Sequence, residues 1–394
     1  MQRNRRFGAF PVDAVARLLS DLVAIPSVNP MGRSLSGPGI LETALTDFLE
    51  SRLRALGVHV RRDPILPGRD NLIAKYESPG ASRTILFDVH QDTVPAEGMT
   101  IAPFSPTLRD GRLYGRGACD VKGSMAAMLL AFDRLVRERP KGSASVILAL
   151  TVDEEFTHVG SSRLAEERPD VDLAIVAEPT RMNLVTTHKG AVRWKIDATG
   201  VACHSSTPTL GDNAIYRMAR VISALEAYAI ELSQSEPDPI LGPPSLSVGR
   251  IEGGQSVNIV PDLCTIEVDR RVIPRENAEH VPKLASDFLR ERLGTLDGLE
   301  FRVPWVKMPA LSSSITSQDL ATIASVIRAV TGREPATMGV PFGTDAGPLG
   351  QAGIPCVVLG PGDIAQAHTK DEWIDLEEVR AAAEVYFQLA RALR

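Results

Sequence analysis

The chain has 394 residues, of which 44% are hydrophobic and 23% charged, and its formal net charge is -6. That length exceeds one ordinary hydrophobic core and predicts two domains, while the acidic balance argues against a nucleic-acid or anionic-membrane surface. The composition suits a soluble globular protein, and the separated Cys119, Cys203, Cys264 and Cys356 suggest reduced cytoplasmic thiols rather than a disulfide framework.

In chain order, the first ten residues, MQRNRRFGAF, are basic but lead into no apolar stretch of signal-peptide length. No run of about 18 apolar residues occurs, so no membrane span is expected. A helix is predicted over 12–23, a Pro-, Gly- and Ser-rich loop over 25–39, and an amphipathic helix over 40–56 that stops before Gly57. Strands are expected at 58–61 and 71–76. The segment TILFDVHQDTV (84–94) then gives a buried strand over 84–89 with His90 and Asp92 just past its end. In open α/β sheets ligands bind at that edge. There an imidazole can hold a metal while the carboxylate steers it, or a neighbouring ligand, from behind.

Asp120 precedes an apolar helix over 122–137, and Gly115, Gly117 and Gly123 around it suggest unusual backbone angles. The strand-then-acid pattern recurs. SVILALTV (145–152) leads into Asp153, Glu154 and Glu155, and LAIVA (173–177) into Glu178. PCVVL (355–359) leads through Gly360, Pro361 and Gly362 to a loop with His368. If these strands are parallel neighbours, their polar ends converge on one sheet edge. Two imidazoles and several carboxylates form a nitrogen–oxygen donor set suited to two divalent ions, zinc or a substitute such as cobalt or manganese. Such a pair needs a bridging carboxylate.

From about residue 189 the pattern turns to alternation. Strands at 192–202, 245–252 and 264–272 and helices at 214–232 and 278–293 predict an α+β sandwich of two helices on about four mostly antiparallel strands. The expected division is 1–188 and 302–394 for a catalytic domain, with 189–301 inserted. The whole is an α/β fold whose mostly parallel sheet carries helices on both faces.

The motifs FDVHQDTVP, GRGACDVKGSMAAML, TVDEEF, AEPT, GVACHSSTP, GGQSVNIVPD and GPGDIAQAHTKDEW run in one order over nearly the whole chain. Together they resemble the M20 metallopeptidase family, in the branch of acetylornithine deacetylase, succinyl-diaminopimelate desuccinylase and carboxypeptidase G2. The resemblance implies that His90, Asp120 and Glu178 hold one metal and Asp120, Glu155 and His368 the other, with Asp120 bridging. It makes Asp92 a supporting residue, Glu154 the general base, and the peptide after Asp120 a candidate cis bond. It makes the insert a lid and dimer interface, with His204 donating to the oxyanion from the partner subunit of a homodimer. Asn258 and Arg270 match positions linked to the substrate's carboxylate or carbonyl, against plainer readings as a strand-end polar residue and a surface charge. Gly343, Thr344 and Asp345 match a loop lining the substrate site, against a simple turn into a helix starting at Asp345. His59, His158, His188 and His280 match no ligand position and read as structural or surface residues.

The implied activity is hydrolysis of the amide of a small N-acylated amino acid or short peptide, leaning to an acetylornithine-deacetylase-like enzyme. A desuccinylase, an aminoacylase and a carboxypeptidase G2-like peptidase are the alternatives within the family. A catalytically inactive ligand-binding homologue is the alternative outside it, against which the full set of Glu154 and metal ligands argues.

Overall fold

A computed structural model describes residues 10–394; residues 1–9, and with them most of the basic N-terminal segment, lie outside the described residues. The chain forms two compact units. The first takes in 10–186, 313–338 and 344–394, and the second 187–312 and 339–343. Among the described residues no helix is long and apolar enough to cross a membrane.

The first unit is built on a mixed sheet in the order His59–Leu66, Arg69–Tyr76, Ser145–Thr151, Thr84–His90, Leu173–Val176, Cys356–Val358, Leu184–His188. The middle four are parallel: Thr84–His90 pairs in parallel with both Ser145–Thr151 and Leu173–Val176, and Cys356–Val358 with Leu173–Val176. The flanking hairpin His59–Leu66/Arg69–Tyr76 joins antiparallel, as does Leu184–His188. The parallel strands are the four apolar runs of the sequence. From Ile85 to His90 every residue is buried, so both faces of the sheet are covered, as parallel sheets require.

Helices Val12–Ala24, Gly123–Glu138 and Leu376–Ala392 pack on one another, and Val159–Glu166 packs on Ala346–Gln351 as a separate group. Helix starts follow the local chemistry. Asp375 accepts from Glu377 N–H at 2.8 Å to open Leu376–Ala392, and Thr316 accepts from Asp319 N–H at 3.0 Å to open Ser317–Thr331.

The second unit has an antiparallel sheet in the order Ser245–Gly253, Leu263–Val272, Gly190–Thr199, Leu299–Phe301. Helices Ala214–Gln234 and Val281–Leu293 pack on each other. Its core includes the fully buried Trp194, Ile196, Leu225, Ile266 and Leu289. The sequence returns the chain to the first domain at 302. The units instead divide at 312/313, because Val306–Met308 pairs along Gly190–Thr199 and stays with the second sheet.

A candidate metal centre at the parallel-strand edge

The parallel register aims the strand ends at one place. His90 is the last residue of Thr84–His90, Glu154 and Glu155 follow Ser145–Thr151, and Glu178 follows Leu173–Val176. Asp120 arrives on a kinked turn, Ala118–Lys122, entered through Gly117 at φ 80°, in which Asp120 (φ -117°, ψ 91°) and Val121 (φ -134°, ψ 18°) leave helical angles. Gly117 fits the expected unusual backbone, but Gly123 does not. Its angles are ordinary helical ones (φ -62°, ψ -48°), and what demands glycine is space, since a Cβ would lie 2.7 Å from Ala118 O. The Asp120–Val121 peptide is cis. Glu372 pins this turn: its carboxylate accepts from Cys119 and Asp120 N–H at 2.8 and 3.0 Å, and from Gly117 N–H and Arg116 at 2.9 and 2.7 Å.

Asp120 faces both imidazoles, one through each oxygen. His90 Nε2 lies 3.3 Å from Oδ1, and His368 Nε2 lies 3.5 Å from Oδ2. His368 Nε2 is also 3.1 Å from Glu155 Oε2. Among the described residues three groups of donor atoms result, His90/Glu154/Glu178, Asp120/Glu155/His368 and Glu154/His158/Asp345, each with its atoms within 4.8 Å of one another. His90 Nδ1 stands 3.0 Å from the Asp92 carbonyl, which it meets as a donor; Nε2, buried and without a hydrogen-bond partner, keeps a lone pair for a ligand.

Burial and then the Glu178 charge push Glu154 well above the usual carboxyl range. Burial and then Asp120 do the same to Glu178 and raise Glu155. Buried like charges at this spacing are unfavourable without a cation among them. The orphaned imidazole nitrogen and this nitrogen–oxygen set fit two divalent ions of the zinc, cobalt or manganese kind.

Asp92 lies behind both His90 and the turn that carries Glu154 and Glu155. It meets the His90 ring through its backbone carbonyl, while its carboxylate accepts from the N–H groups of Glu154 and Glu155, at 3.1 Å each, and from Asn29 at 2.7 Å. Burial alone would raise the Asp92 carboxyl, but the facing His90 and Arg69 hold it well below its ordinary value. Asn29 also donates to Asp153 at 2.8 Å, and Arg69 spans Glu42 (2.7–3.1 Å) and Asp153. Asn29, Glu42 and Arg69 thus brace the turn that presents Glu154 and Glu155. Sequence reasoning missed them, because a lone Asn in a loop and a Glu–Arg pair 27 residues apart carry no local signal.

Asp345 is not the cap of a simple turn. It is 2% exposed and makes no side-chain cap bond to Ala346–Gln351. Thr344 Oγ1 accepts from Ala346 N–H instead. The Asp345 carboxylate turns inward to Ser161 (2.5 Å), Thr151 (3.0 Å) and His158 (3.2 Å). His158 and His188 are buried, and His59 and His280 exposed.

In the second unit His204 is exposed, and its Nδ1 lies 2.8 Å from Ser206 Oγ. Ser205 N–H donates to Asn258 O at 3.0 Å, which sets the exposed Asn258 on the adjoining segment. Gly343 belongs to this unit and Thr344 to the first. Arg270 corrects the surface-charge reading. It is 1% exposed, and its guanidinium donates to Glu276 at 2.5 Å and to the Arg271 carbonyl.

The model of Peptidase family M20/M25/M40 matches residues 86–392. The acetylornithine deacetylase of Myxococcus xanthus is 32% identical over 357 residues, 89% of this chain and 91% of that one. That of Proteus mirabilis (strain HI4320) is 31% identical over 94% of this chain and 95% of its own. Among solved structures, an M20 family metallo-carboxypeptidase from Sulfolobus solfataricus superposes with a TM-score of 0.79 at 20% identity, covering 96% of this chain and 98% of that one. A dinuclear metal-binding M20 peptidase from Bacillus subtilis superposes at 0.68 and 18% identity, covering 96% and 97%. At those identities the structures speak for the fold.

Proposed function

The chain belongs to peptidase family M20/M25/M40 and is a metal-dependent hydrolase, and we propose that it cleaves the amide of small N-acylated amino acids in the manner of an acetylornithine deacetylase. The observation that carries this reading is the meeting of two imidazoles on the two oxygens of Asp120, with Glu154 within 4.8 Å of His90 and Glu178. The deacetylase relatives, matched over most of the chain, favour an N-acetyl amino acid.

In this proposal His90, Asp120 and Glu178 would hold one ion, and Asp120, Glu155 and His368 the other. The ions, zinc or else cobalt or manganese, would supply polarisation of the scissile carbonyl and acidification of water. Glu154 then takes the proton from the attacking water and passes it to the leaving amine nitrogen as the C–N bond breaks, so the products are a carboxylate and a free amine. Burial supports that role, since it raises the proton affinity of Glu154. Asp92 fixes the base by binding the N–H of Glu154. His204 is proposed to donate to the developing oxyanion from the partner subunit of a homodimer, and its exposure leaves the ring accessible for that. Asn258 is proposed to contact the substrate. Arg270 is proposed to act there as well; Glu276 and the Arg271 carbonyl hold its NH groups, while its buried Nε has no hydrogen-bond partner. A cytoplasmic location accompanies the reading.

A release assay over N-acetyl amino acids, N-succinyl amino acids and dipeptides tests it. The expected result is fastest release from an N-acetyl amino acid. Cleavage of dipeptides with no release from any N-acyl amino acid would overturn the substrate assignment.

A further inference from the structure

Behind Glu154 lies a buried imidazole that the mechanism above does not use. His158 is 7% exposed. Its Nδ1 stands 3.2 Å from Asp345 Oδ1 and 3.6 Å from Glu154 Oε1. Two carboxylates facing one ring nitrogen require that nitrogen to carry the proton. Asp345 cannot turn away from it. Ser161 Oγ donates to Oδ1 at 2.5 Å and Thr151 Oγ1 to Oδ2 at 3.0 Å, and both hydroxyls are fully buried. Among the described residues no hydrogen bond reaches the Glu154 carboxylate; His158 Nδ1 faces it at 3.6 Å, beyond hydrogen-bond distance.

The backbone adds a second observation. His158 adopts φ 57°, in the left-handed region that glycine and asparagine also tolerate. Its N–H donates to Asp153 O at 2.7 Å, which ties the imidazole to the turn that carries Glu154.

We infer that His158, anchored by Asp345, is a positioning residue for Glu154: its Nδ1–H, bonded to Asp345 and facing Glu154 at 3.6 Å, orients the base's carboxylate by electrostatic attraction rather than by a hydrogen bond. The inference rests on Glu154 being the base. Losing the hold leaves the base present but free to swing, and misplacement by about 1 Å costs roughly 10²-fold in such steps. The loss falls on kcat, because His158 is proposed to touch neither substrate nor metal.

The test compares His158→Gly, which deletes the ring without straining this backbone, with His158→Asn, which tolerates the same φ and returns an N–H near the Nδ1 position. Glu154→Gln is the control, and melting temperature, metal content, kcat and KM are read for each. The expected result is a folded, metal-loaded Gly variant with kcat lowered about 10- to 100-fold and KM little changed, and an Asn variant that recovers most of the loss. A Gly variant with wild-type kcat overturns the inference, as does a folded Asn variant no better than the Gly one. If the Gly variant fails to fold, the Asn variant decides alone: kcat near wild type supports the hold, and kcat as low as that of Glu154→Gln overturns it. An active Glu154→Gln protein would instead remove the base assignment, whatever the His158 variants do.

Discussion

Glu154 and Glu155 are adjacent in sequence, yet the turn after Ser145–Thr151 sends them to different donor groups, Glu154 with His90 and Glu178 and Glu155 with Asp120 and His368. That divergence predicts divergent variants. Glu154→Gln should keep its metal and lose general-base catalysis, worth at least about 10²-fold. Glu155→Gln should lose metal. Elemental analysis of the two purified proteins checks this, and the assignment is wrong if metal falls in the first and stays in the second. At this scale the sequence was legible where chemistry followed a strong local pattern. His90, Glu155 and Glu178 each close an apolar run. It was illegible where a residue's partners come from distant segments. Asp345 read as part of a substrate-site loop, with a turn into a helix as the plainer alternative; its bonds to Thr151, His158 and Ser161 cross nearly 200 positions, at separations of 194, 187 and 184, and left no trace in the sequence. Arg270 read as a substrate contact, with a surface charge as the plainer alternative, and only its pairing with Glu276 shows how a cation is tolerated inside.

The elements were the most readable level. Short β-branched runs bounded by turn residues left little choice but buried strands, and their parallel pairing puts every run's polar end on one edge. The turn Ala118–Lys122 shows the limit of that reading. The glycines announced an unusual backbone, but not that Glu372 would collect its N–H groups. Because Glu372 lies four positions after His368, one C-terminal segment supplies both an imidazole to Asp120 and the carboxylate that fixes the Asp120 backbone. The boundary near 302 was misplaced for a related reason. The strand Val306–Met308 is three residues long, too short to register as a period, and its membership in the second sheet is decided by pairing with Gly190–Thr199.

At the level of the whole molecule, length alone called for two domains, and two compact units are present. The proposed role of His204 belongs here, since it requires two chains. A heterodimer of a Glu154→Gln subunit with a His204→Ala subunit would hold one site with both intact residues if His204 acts in trans, and none if it acts in cis. Verified heterodimers, isolated through two affinity tags, are expected to recover activity that neither parent has; heterodimers as inactive as both parents rule the trans arrangement out. The central claim is that hydrolysis depends on divalent ions held where His90, Asp120, Glu155, Glu178 and His368 meet, and one titration tests it most directly. Protein stripped by a chelator, with metal content followed by elemental analysis, should lose amide hydrolysis and regain it as zinc or cobalt is added back, saturating near two ions per chain. Full turnover in protein shown to contain no metal would contradict the account.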